Sequence, residues 1–432
     1  MPGKYKLLVE HARQLVPVTR SGARFLRGDD MKSVDVMEGA PGGYSVLVDS
    51  DGVIADMGPS EEVEQRVDRG QVEQVIDASG RCVLPGFVDA HTHPVWAGDR
   101  VHEFALKLAG ASYMEIHKQG GGIHYTVTHT RQASEDELFQ AFSHRLSRMV
   151  RAGTTLVECK SGYGLDLHNE VKMLKVIERA RRLGLVGISS TYCGAHAVPI
   201  GQTSKEATDD IINNQLPDIK KRMESGELTV DNIDVFCEVG VFDLEQTREI
   251  LKAGKAMGLQ INFHGEELHR LNSAEMGAGL GADAISHLEE VSKTGLTAMS
   301  QAGTVAVILP TTAYNLHLQP PPVRSMIDNG VIVALGTDFN PNAHCLAMPL
   351  VMNLACVTMK MSMQEALVAA TLNAAHALGR SARHGSLEVG KVADMIIVDA
   401  PRWEHIIYQM GSHDSLISAV MHKGQVVHST NL

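Results

Sequence analysis

The sequence has few features that would point to a secreted, membrane or nucleic-acid-binding protein. Its 432 residues contain six cysteines, which are dispersed and form no C-x-x-C pair, so neither a disulfide framework nor a cysteine-rich zinc site is expected. No stretch approaches the roughly 18 apolar residues of a membrane span, and charges interrupt the N-terminus too soon for a signal peptide. Basic residues are also in deficit, with 39 Lys and Arg against 51 Asp and Glu and a formal net charge of −12. We therefore expect a cytoplasmic protein without a membrane or nucleic-acid partner.

Hydrophobic residues are abundant, at 44% of the chain, so a sizeable core is expected. Both ends of the chain read as short strands broken by turns, for example "YSVLVDSDGVIADMG" near the start and "GSLEVGKVADMIIVDA" near the end. The pattern predicts that residues 1–84 and 386–432 pair into one small β-sheet domain, a β-sandwich built from both termini.

The middle of the chain has a different pattern, which predicts an α/β fold. Eight short apolar runs recur, and most are followed by a helix-like segment such as "DELFQAFSHRLSRMVRAG". Continuous apolar runs bounded by turns are typical of parallel strands buried on both faces. The spacing predicts a (β/α)8, TIM-like barrel over residues 85–385. The runs cover residues 83–89, 154–160, 187–193, 233–238, 260–264, 284–288, 305–310 and 331–338.

Several polar residues stand where these predicted strands end. Active sites of such barrels form at the carboxyl ends of the strands, so these side chains should share one rim. An H-x-H pair alone is weak support for a metal site, because buried histidines are also satisfied by ordinary hydrogen bonds. Three histidines and a carboxylate together are typical of a catalytic zinc site and are equally compatible with iron. The rim residues are His91 and His93 after the first run, His264 and Glu267 at the fifth, His287 at the sixth and Asp338 at the eighth.

This arrangement resembles the amidohydrolase superfamily. Six motifs are similar to those of a branch that opens a cyclic amide: "DAHTHPVWAGDRVHEF", "ECKSGYGLD", "YCGAHAVP", "INFHGEELH", "ISHLEE" and "GTDFNP". The resemblance covers nearly the whole chain. It implies a metal-dependent hydrolase that cleaves the ring C–N bond of 4-imidazolone-5-propanoate to give N-formimino-L-glutamate, in histidine degradation. It also implies one Zn²⁺ or iron ion per subunit and a homodimer.

The resemblance also assigns roles in the reaction. The metal ligands would be His91, His93, His264 and Asp338, and Asp338 would also accept a proton from the attacking water. Glu267 would shuttle a proton to the leaving nitrogen, unless it is only a solvated rim carboxylate beside Glu266. His287 would donate a hydrogen bond to the attacked carbonyl oxygen or bind the catalytic water, unless it supports another ligand or is itself one.

The substrate-binding residues implied by the resemblance follow several strands. Arg100 is the candidate for the propanoate carboxylate, because a guanidinium can bind a carboxylate with two hydrogen bonds. Such an arginine is otherwise usually solvated. Tyr163, His196 and Asn340 match substrate or product contacts of the family, as Glu267 does. Tyr113, in "GASYMEI", is a further candidate that could instead be a packing residue.

Three points leave alternatives open. The related pattern D-F-N-P-G-[ST] reads "DFNPNAHC" here, so Asn342 and Ala343 put the product contacts of that loop in doubt. Lys160 ends the second predicted strand, whereas a metal-bridging carboxylated lysine typically belongs to the fourth, which favours a one-metal site. A nucleobase deaminase using the same rim is the rival enzyme, and a catalytically silent binding barrel is the rival of another class.

Overall fold

The structure is a computed structural model that describes residues 4–110 and 121–430. Its strands are β1 (Tyr5–Ala12), β2 (Gln14–Val18), β3 (Asp35–Glu38), β4 (Tyr44–Asp49), β5 (Ile54–Pro59), β6 (Val72–Asp77), β7 (Cys82–Pro85), β8 (Phe87–Asp89), β9 (Thr154–Lys160), β10 (Gly187–Ala195), β11 (Asn232–Cys237), β12 (Gln260–Gly265), β13 (Ala284–His287), β14 (Val305–Ile308), β15 (Ile332–Leu335), β16 (Met395–Val398), β17 (Ile417–His422) and β18 (Gln425–Ser429).

The α-helices among the described residues are Ser60–Arg66, Val101–Leu108, Ile123–Gln132, Glu135–Arg151, Leu167–Leu183, Ser204–Asp210, Leu216–Glu224, Leu244–Ala256, Ser273–Leu280, Lys293–Ala302, Pro310–Asn315, Val323–Asp328, Met348–Met359, Met363–Ala369, Leu372–Ala377, His405–Tyr408 and His413–Leu416. A π-helical segment spans Ile211–Gln215, and 3₁₀ turns span Gly28–Lys32 and Arg69–Gln71. None of the helices within residues 4–110 and 121–430 is long and apolar enough to cross a membrane.

Eight parallel strands, β8 to β15, form one sheet in sequence order, which confirms the predicted TIM-like barrel. Contacts just beyond its first and last strands bring the two edges together. Thr92 pairs with Phe339 in a parallel bridge, and the backbone N–H of His93 donates to the carbonyl oxygen of Phe339 over 2.9 Å. The chain segments that carry His91, His93 and Asp338 therefore also close the barrel.

The first predicted run differs from the structure, because residues 83–89 do not form one strand. The strand is interrupted at Gly86. β7 pairs with β2 and β16 in a sheet formed by the two ends of the chain, and only β8 belongs to the barrel. A Cβ atom at Gly86 would lie 2.2 Å from the side chain of Thr155 in β9. The Gly86 N–H donates to the carbonyl oxygen of Asp394 over 3.0 Å. Close packing at this residue lets the backbone pass from one sheet to the other.

The two ends of the chain form two sheets, as the predicted β-sandwich requires. One sheet has the order β5-β4-β1-β6, and the other combines both termini in the order β18-β17-β16-β7-β2-β3. Alternate side chains of β16 face opposite ways. Met395 and Ile397 pack in the core between the two sheets, whereas Ile396 and Val398 pack in the main core with the barrel. The exact division at residues 84/85 and 385/386 stays a prediction.

Candidate active site

Four side chains converge on one point at the carboxyl-end rim of the barrel. The Nε2 atom of His93 lies 3.3 Å from Nε2 of His91 and 3.2 Å from Nε2 of His264. The Oδ1 atom of Asp338 lies 3.5 Å from Nε2 of His91 and 3.6 Å from Nε2 of His93. All four side chains are buried. The structure thus brings together the four residues that the sequence singled out as ligands.

Hydrogen bonds on the far side of two rings orient them towards this point. Nδ1 of His264 donates to Oδ1 of Asp234 over 2.8 Å, so in a neutral imidazole the Nε2 lone pair faces the cluster. Oδ2 of Asp234 lies 2.6 Å from the Lys160 ammonium, which also contacts Glu158 at 2.7 Å. Nδ1 of His91 lies 2.8 Å from the hydroxyl of Ser286. Asp234 was not predicted as a site residue, although a carboxylate inside the buried run "NIDVFC" was a usable signal.

Asp338 is held at one oxygen only. Thr312 donates to Oδ2 over 2.5 Å, whereas Oδ1 has no hydrogen-bond partner among the described residues. The backbone at Asp338 has a φ of 47°, and at His287 a φ of 79°. Such left-handed conformations in non-glycine residues cost energy and cluster at functional sites.

The donor set suits a metal ion. Burial, followed by neighbouring cationic groups, lowers the pKa of His91 and of His93 well below the ordinary histidine value. Both rings are therefore neutral at pH 7, as metal ligation requires. Neutral imidazoles with facing nitrogens and a carboxylate oxygen without a partner leave unshared electron pairs pointing into one buried space. A divalent cation would satisfy these atoms, and His91, His93 and Asp338 form one group with ligand atoms close enough to hold it.

Two further rim residues face each other beside this cluster. Oε2 of Glu267 lies 3.7 Å from Nε2 of His287. Burial, reinforced by Glu289 and Asp338, raises the pKa of Glu267 well above its ordinary value, because the charged form of a buried carboxyl group is disfavoured. Burial also lowers the pKa of His287 well below the ordinary value. Burial therefore favours the uncharged form of both groups, which lie next to the candidate ligands.

The neighbouring Glu266 has a different position. It is fully buried, and Oε1 accepts hydrogen bonds from the backbone N–H and the hydroxyl of Ser273, at the start of helix Ser273–Leu280. Glu238 orders the following residues, since its carboxylate accepts from the backbone N–H groups of Leu268 and His269. These two carboxylates shape the loop that carries Glu267.

Comparisons with known proteins identify the family. The model of the amidohydrolase family matches residues 82–428. The chain belongs to the amidohydrolase family. This amidohydrolase is 61% identical over 430 residues to a human protein named "Probable imidazolonepropionase", with both chains fully covered. It is 62% identical over 427 residues to the zebrafish (Danio rerio) protein of the same name, covering 99% and 98% of the two chains. The resemblance found in the motifs is confirmed, and the chain is a hydrolase of this family.

A solved structure of low sequence identity supports the same fold. An adenosine deaminase from Xanthomonas campestris with bound zinc superposes with a TM-score of 0.75 at 18% identity, covering 99% of this chain and 93% of the other. At this identity the likeness concerns the fold alone. The chain fold of this amidohydrolase is therefore shared with that enzyme over nearly its whole length.

His196 and Tyr163 line one side of the histidine cluster of the amidohydrolase. The His196 ring stacks on His93 with centroids 4.5 Å apart and planes 13° apart, and the Tyr163 ring lies 5.3 Å from that of His196. Nδ1 of His196 donates to the carbonyl oxygen of Gly162 over 3.0 Å, and burial lowers the pKa of His196 to about 3. The neutral ring thus forms a fixed wall next to the cluster.

Arg100 lies in a cavity of about 1110 Å³ that also includes Thr311 and Asn342 but none of the four candidate ligands. The Arg100 guanidinium is already paired, because Nε and Nη2 lie 2.9 Å and 2.7 Å from Oε2 of Glu103. Any substrate carboxylate would therefore share this guanidinium with Glu103.

The side chain of Asn340 forms hydrogen bonds across the loop that follows Asp338. Its amide nitrogen donates to the carbonyl oxygen of Asp338, and its Oδ1 accepts from the backbone N–H groups of Asn342 and Ala343. Asn342 and Ala343 are the two positions that differ from the related sequence pattern, and their backbone N–H groups are thus already hydrogen-bonded within the loop. Tyr113 lies outside the residues that the structure describes.

Proposed function

We propose that this amidohydrolase is an imidazolonepropionase, which hydrolyses the ring of 4-imidazolone-5-propanoate to N-formimino-L-glutamate. One observation carries the proposal: the buried cluster of His91, His93, His264 and Asp338 occurs in a chain about 60% identical, over its full length, to relatives named for that activity. The six rim motifs of the sequence add support, because they cover the same cluster and its surroundings.

In this proposal His91, His93, His264 and Asp338 hold one Zn²⁺ or iron ion per subunit. A bound divalent ion lowers the pKa of its water towards ~7 and so makes a nucleophile available at neutral pH. A single ion is supported by Lys160. Burial disfavours its ammonium form, but Asp234 and Glu158 outweigh burial and raise the pKa of Lys160. A carboxylated lysine that bridges two metals requires an uncharged amine, and Lys160 is held charged.

Three residues handle protons in the proposed reaction. Oδ1 of Asp338, which has no partner among the described residues, accepts a proton from the attacking water. His287 donates a hydrogen bond to the carbonyl oxygen, where negative charge develops. Glu267, whose pKa is raised by burial, delivers a proton to the departing ring nitrogen, so that the C–N bond breaks without a free amide anion.

The remaining residues are proposed to bind substrate. Arg100 binds the propanoate carboxylate while Glu103 holds its other edge, and Tyr163 and His196 flank the imidazolone ring. Asn340 contacts the formimino-glutamate product. Tyr113 stays a candidate substrate contact.

We further propose a cytoplasmic homodimer whose sandwich covers residues 1–84 and 386–432 and whose barrel covers residues 85–385. The six cysteines are all free thiols, which fits a reducing compartment. The dimer rests on the resemblance to the family.

The test is turnover of freshly prepared 4-imidazolone-5-propanoate by the purified protein before and after chelation. We expect formimino-glutamate only from the metal-loaded protein, with activity restored by Zn²⁺ or Fe²⁺. No product from the metal-loaded protein, together with ammonia release from a nucleobase, would replace the proposal by the deaminase alternative. Undiminished activity after complete metal removal would overturn the roles of the four ligands.

A further inference from the structure

Glu289, just after β13, is a buried carboxyl group for which the proposed reaction has no role. Its side chain is 2% exposed, and neither oxygen has a hydrogen-bond partner among the described residues. Buried polar atoms are nearly always paired, because an unpaired one costs about 1–3 kcal/mol. The position of Glu289 therefore requires an explanation in terms of what it faces.

Glu289 faces the back of the His287 ring. Its Oε2 atom lies 3.9 Å from Nδ1 of His287, and that nitrogen also lacks a hydrogen-bond partner among the described residues. On the opposite edge of the ring, Nε2 lies 3.7 Å from Glu267. The imidazole is thus enclosed between two carboxyl groups, one on the reaction side and one behind it.

The protonation states of this array follow from burial. Burial, with Asp338 and Glu290 adding to it, raises the pKa of Glu289 to about 8, so the group carries a proton at neutral pH. A neutral imidazole such as that proposed for His287 carries one proton, on one of its two nitrogens. A protonated carboxyl group can donate to a ring nitrogen, whereas a carboxylate can only accept from it.

We propose that Glu289 is a positioning residue, whose protonated carboxyl group donates a hydrogen bond to Nδ1 of His287 and thereby keeps the imidazole proton on Nε2. Nε2 is the atom that would donate to the carbonyl oxygen of the substrate. The two atoms are 3.9 Å apart, so this hydrogen bond requires the Glu289 side chain to move closer to the ring, with or without substrate in the site. This inference rests on the proposed function for its effect on turnover, but not for the tautomer itself.

A different arrangement makes the opposite prediction about the tautomer. His91, His264 and His287 also form a group with ligand atoms close enough for a metal ion. If Nε2 of His287 were a metal ligand, the ring proton would reside on Nδ1, and Glu289 would accept it as a carboxylate. The location of one proton therefore separates the two arrangements.

The first experiment measures that proton directly. The zinc-loaded protein, labelled with ¹⁵N-histidine, is examined by NMR at neutral pH, and His287 is assigned by comparison with His287→Gln. We expect a protonated Nε2 and an unprotonated Nδ1 in the wild type and in Glu289→Gln, whose amide group can still donate. In Glu289→Leu we expect a mixture of tautomers. A proton on Nδ1 of the wild type would overturn the proposal without any variant.

The second experiment measures steady-state turnover of 4-imidazolone-5-propanoate by the same proteins, with Glu290→Gln as the adjacent control. We expect Glu289→Leu to lower kcat by about 10–100-fold with little change in KM, the usual effect of losing a group that orients another. Glu289→Gln should restore most of the loss, and Glu290→Gln should behave as the wild type. A Glu289→Leu enzyme with unchanged kcat, or a Glu289→Gln enzyme as slow as Glu289→Leu, would contradict the inference.

The two experiments distinguish a failure of the proposed function from a failure of the role proposed for Glu289. If the wild type produced no formimino-glutamate, the proposed function would fail, and the NMR measurement would still decide the role of Glu289. If the wild type were active but His287 carried its proton on Nδ1, the proposed function would stand and the role of Glu289 would fall.

Discussion

Asp338 shows how much of the proposed chemistry depends on a single oxygen atom. Thr312 binds one carboxylate oxygen and leaves the other to face the histidine cluster. Asp338→Asn preserves the shape of the side chain but removes its ability to take a proton. We expect kcat/KM to fall by about 10²–10⁴-fold, the usual contribution of a general base. Kinetics together with an unchanged circular dichroism spectrum check this, and turnover like that of the wild type would reject the assignment.

Glu267 and Glu266 are adjacent glutamates with separate positions, which makes them a matched pair. Glu267→Gln cannot deliver a proton, so we expect turnover to fall by about 10²–10⁴-fold with the fold intact. Glu266→Gln retains an oxygen for the N–H and hydroxyl of Ser273, and we expect it to keep turnover near that of the wild type. Steady-state kinetics on both variants test this, and equal losses would mean that Glu267 has no separate catalytic role.

Individual site residues could be predicted from the sequence to different degrees. His91, His93, His264 and Asp338 were predictable because each stands at the end of an apolar run or just after it, where a barrel places its active site. Asp234 and Glu289 were not singled out, since their importance lies in what they face: His264 in one case and His287 in the other. Asp234 and His264 are far apart in sequence, so their contact depends on the fold. Glu289 is close to His287 in sequence, but only the local backbone conformation brings its carboxyl group to the ring.

At the scale of elements, helix Ser273–Leu280 contains two glycines in contrasting surroundings. A Cβ atom at Gly277 would lie 2.7 Å from Phe263 and 2.8 Å from Ile285, whereas a Cβ at Gly279 would meet nothing within 4 Å. Gly277 is buried against the barrel strands and Gly279 is exposed. The helix can therefore approach β12 and β13 only where the side chain is absent.

We expect Gly277→Ala to destabilise the protein by about 1–3 kcal/mol, because the added methyl group overpacks this contact. Gly279→Ala should be neutral or stabilising by up to about 1 kcal/mol, since alanine favours helix more than glycine does. Melting temperatures of the two variants, measured side by side, give the comparison. If the Gly277→Ala protein were as stable as Gly279→Ala, the helix could move away from β12 and β13 without loss of stability, and the prediction would be wrong.

Elements themselves were predicted with more success than their boundaries. The segment "DELFQAFSHRLSRMVRAG" is the helix Glu135–Arg151, which begins at a capping box of Ser134 and Glu137. The strand over residues 83–89 is in fact two strands in different sheets. The apolar pattern continues through Gly86, and only packing against Thr155 shows where the chain changes sheets.

At the scale of the whole molecule, the buried Asp394 forms hydrogen bonds to three separate segments of the chain where the sandwich meets the barrel. Asp394 accepts from Nδ1 of His384 and of His422, over 3.0 Å and 2.8 Å, and its carbonyl oxygen accepts from Gly86. Burial opposes ionisation of Asp394, but the two histidines outweigh it and hold its pKa well below the ordinary value. A carboxyl group whose pKa is lowered on folding stabilises the protein above the unfolded pKa, and that stabilisation declines as the pH falls.

We expect Asp394→Asn to lose about 1–3 kcal/mol of stability at pH 7, the cost of leaving buried donors without an acceptor. The difference from the wild type should shrink as the pH falls below about 4, where the unfolded carboxyl group becomes protonated. Urea unfolding at neutral and acidic pH measures the difference. If the difference in unfolding free energy between the two proteins stayed constant across this pH range, the ionised carboxylate would not be the source of the stability.

The sequence alone determined the class of fold and the set of rim residues, because strand periodicity and strand-end position are local properties of the chain. It also determined the family, through motifs spread over nearly the whole length and confirmed by close relatives. Tertiary structure decided which lone pairs face one another, that Arg100 is already paired with Glu103, and that Glu289 stands behind His287. These features depend on burial and on distances between segments, and burial changes the protonation of a carboxyl group in a way that residue order does not encode.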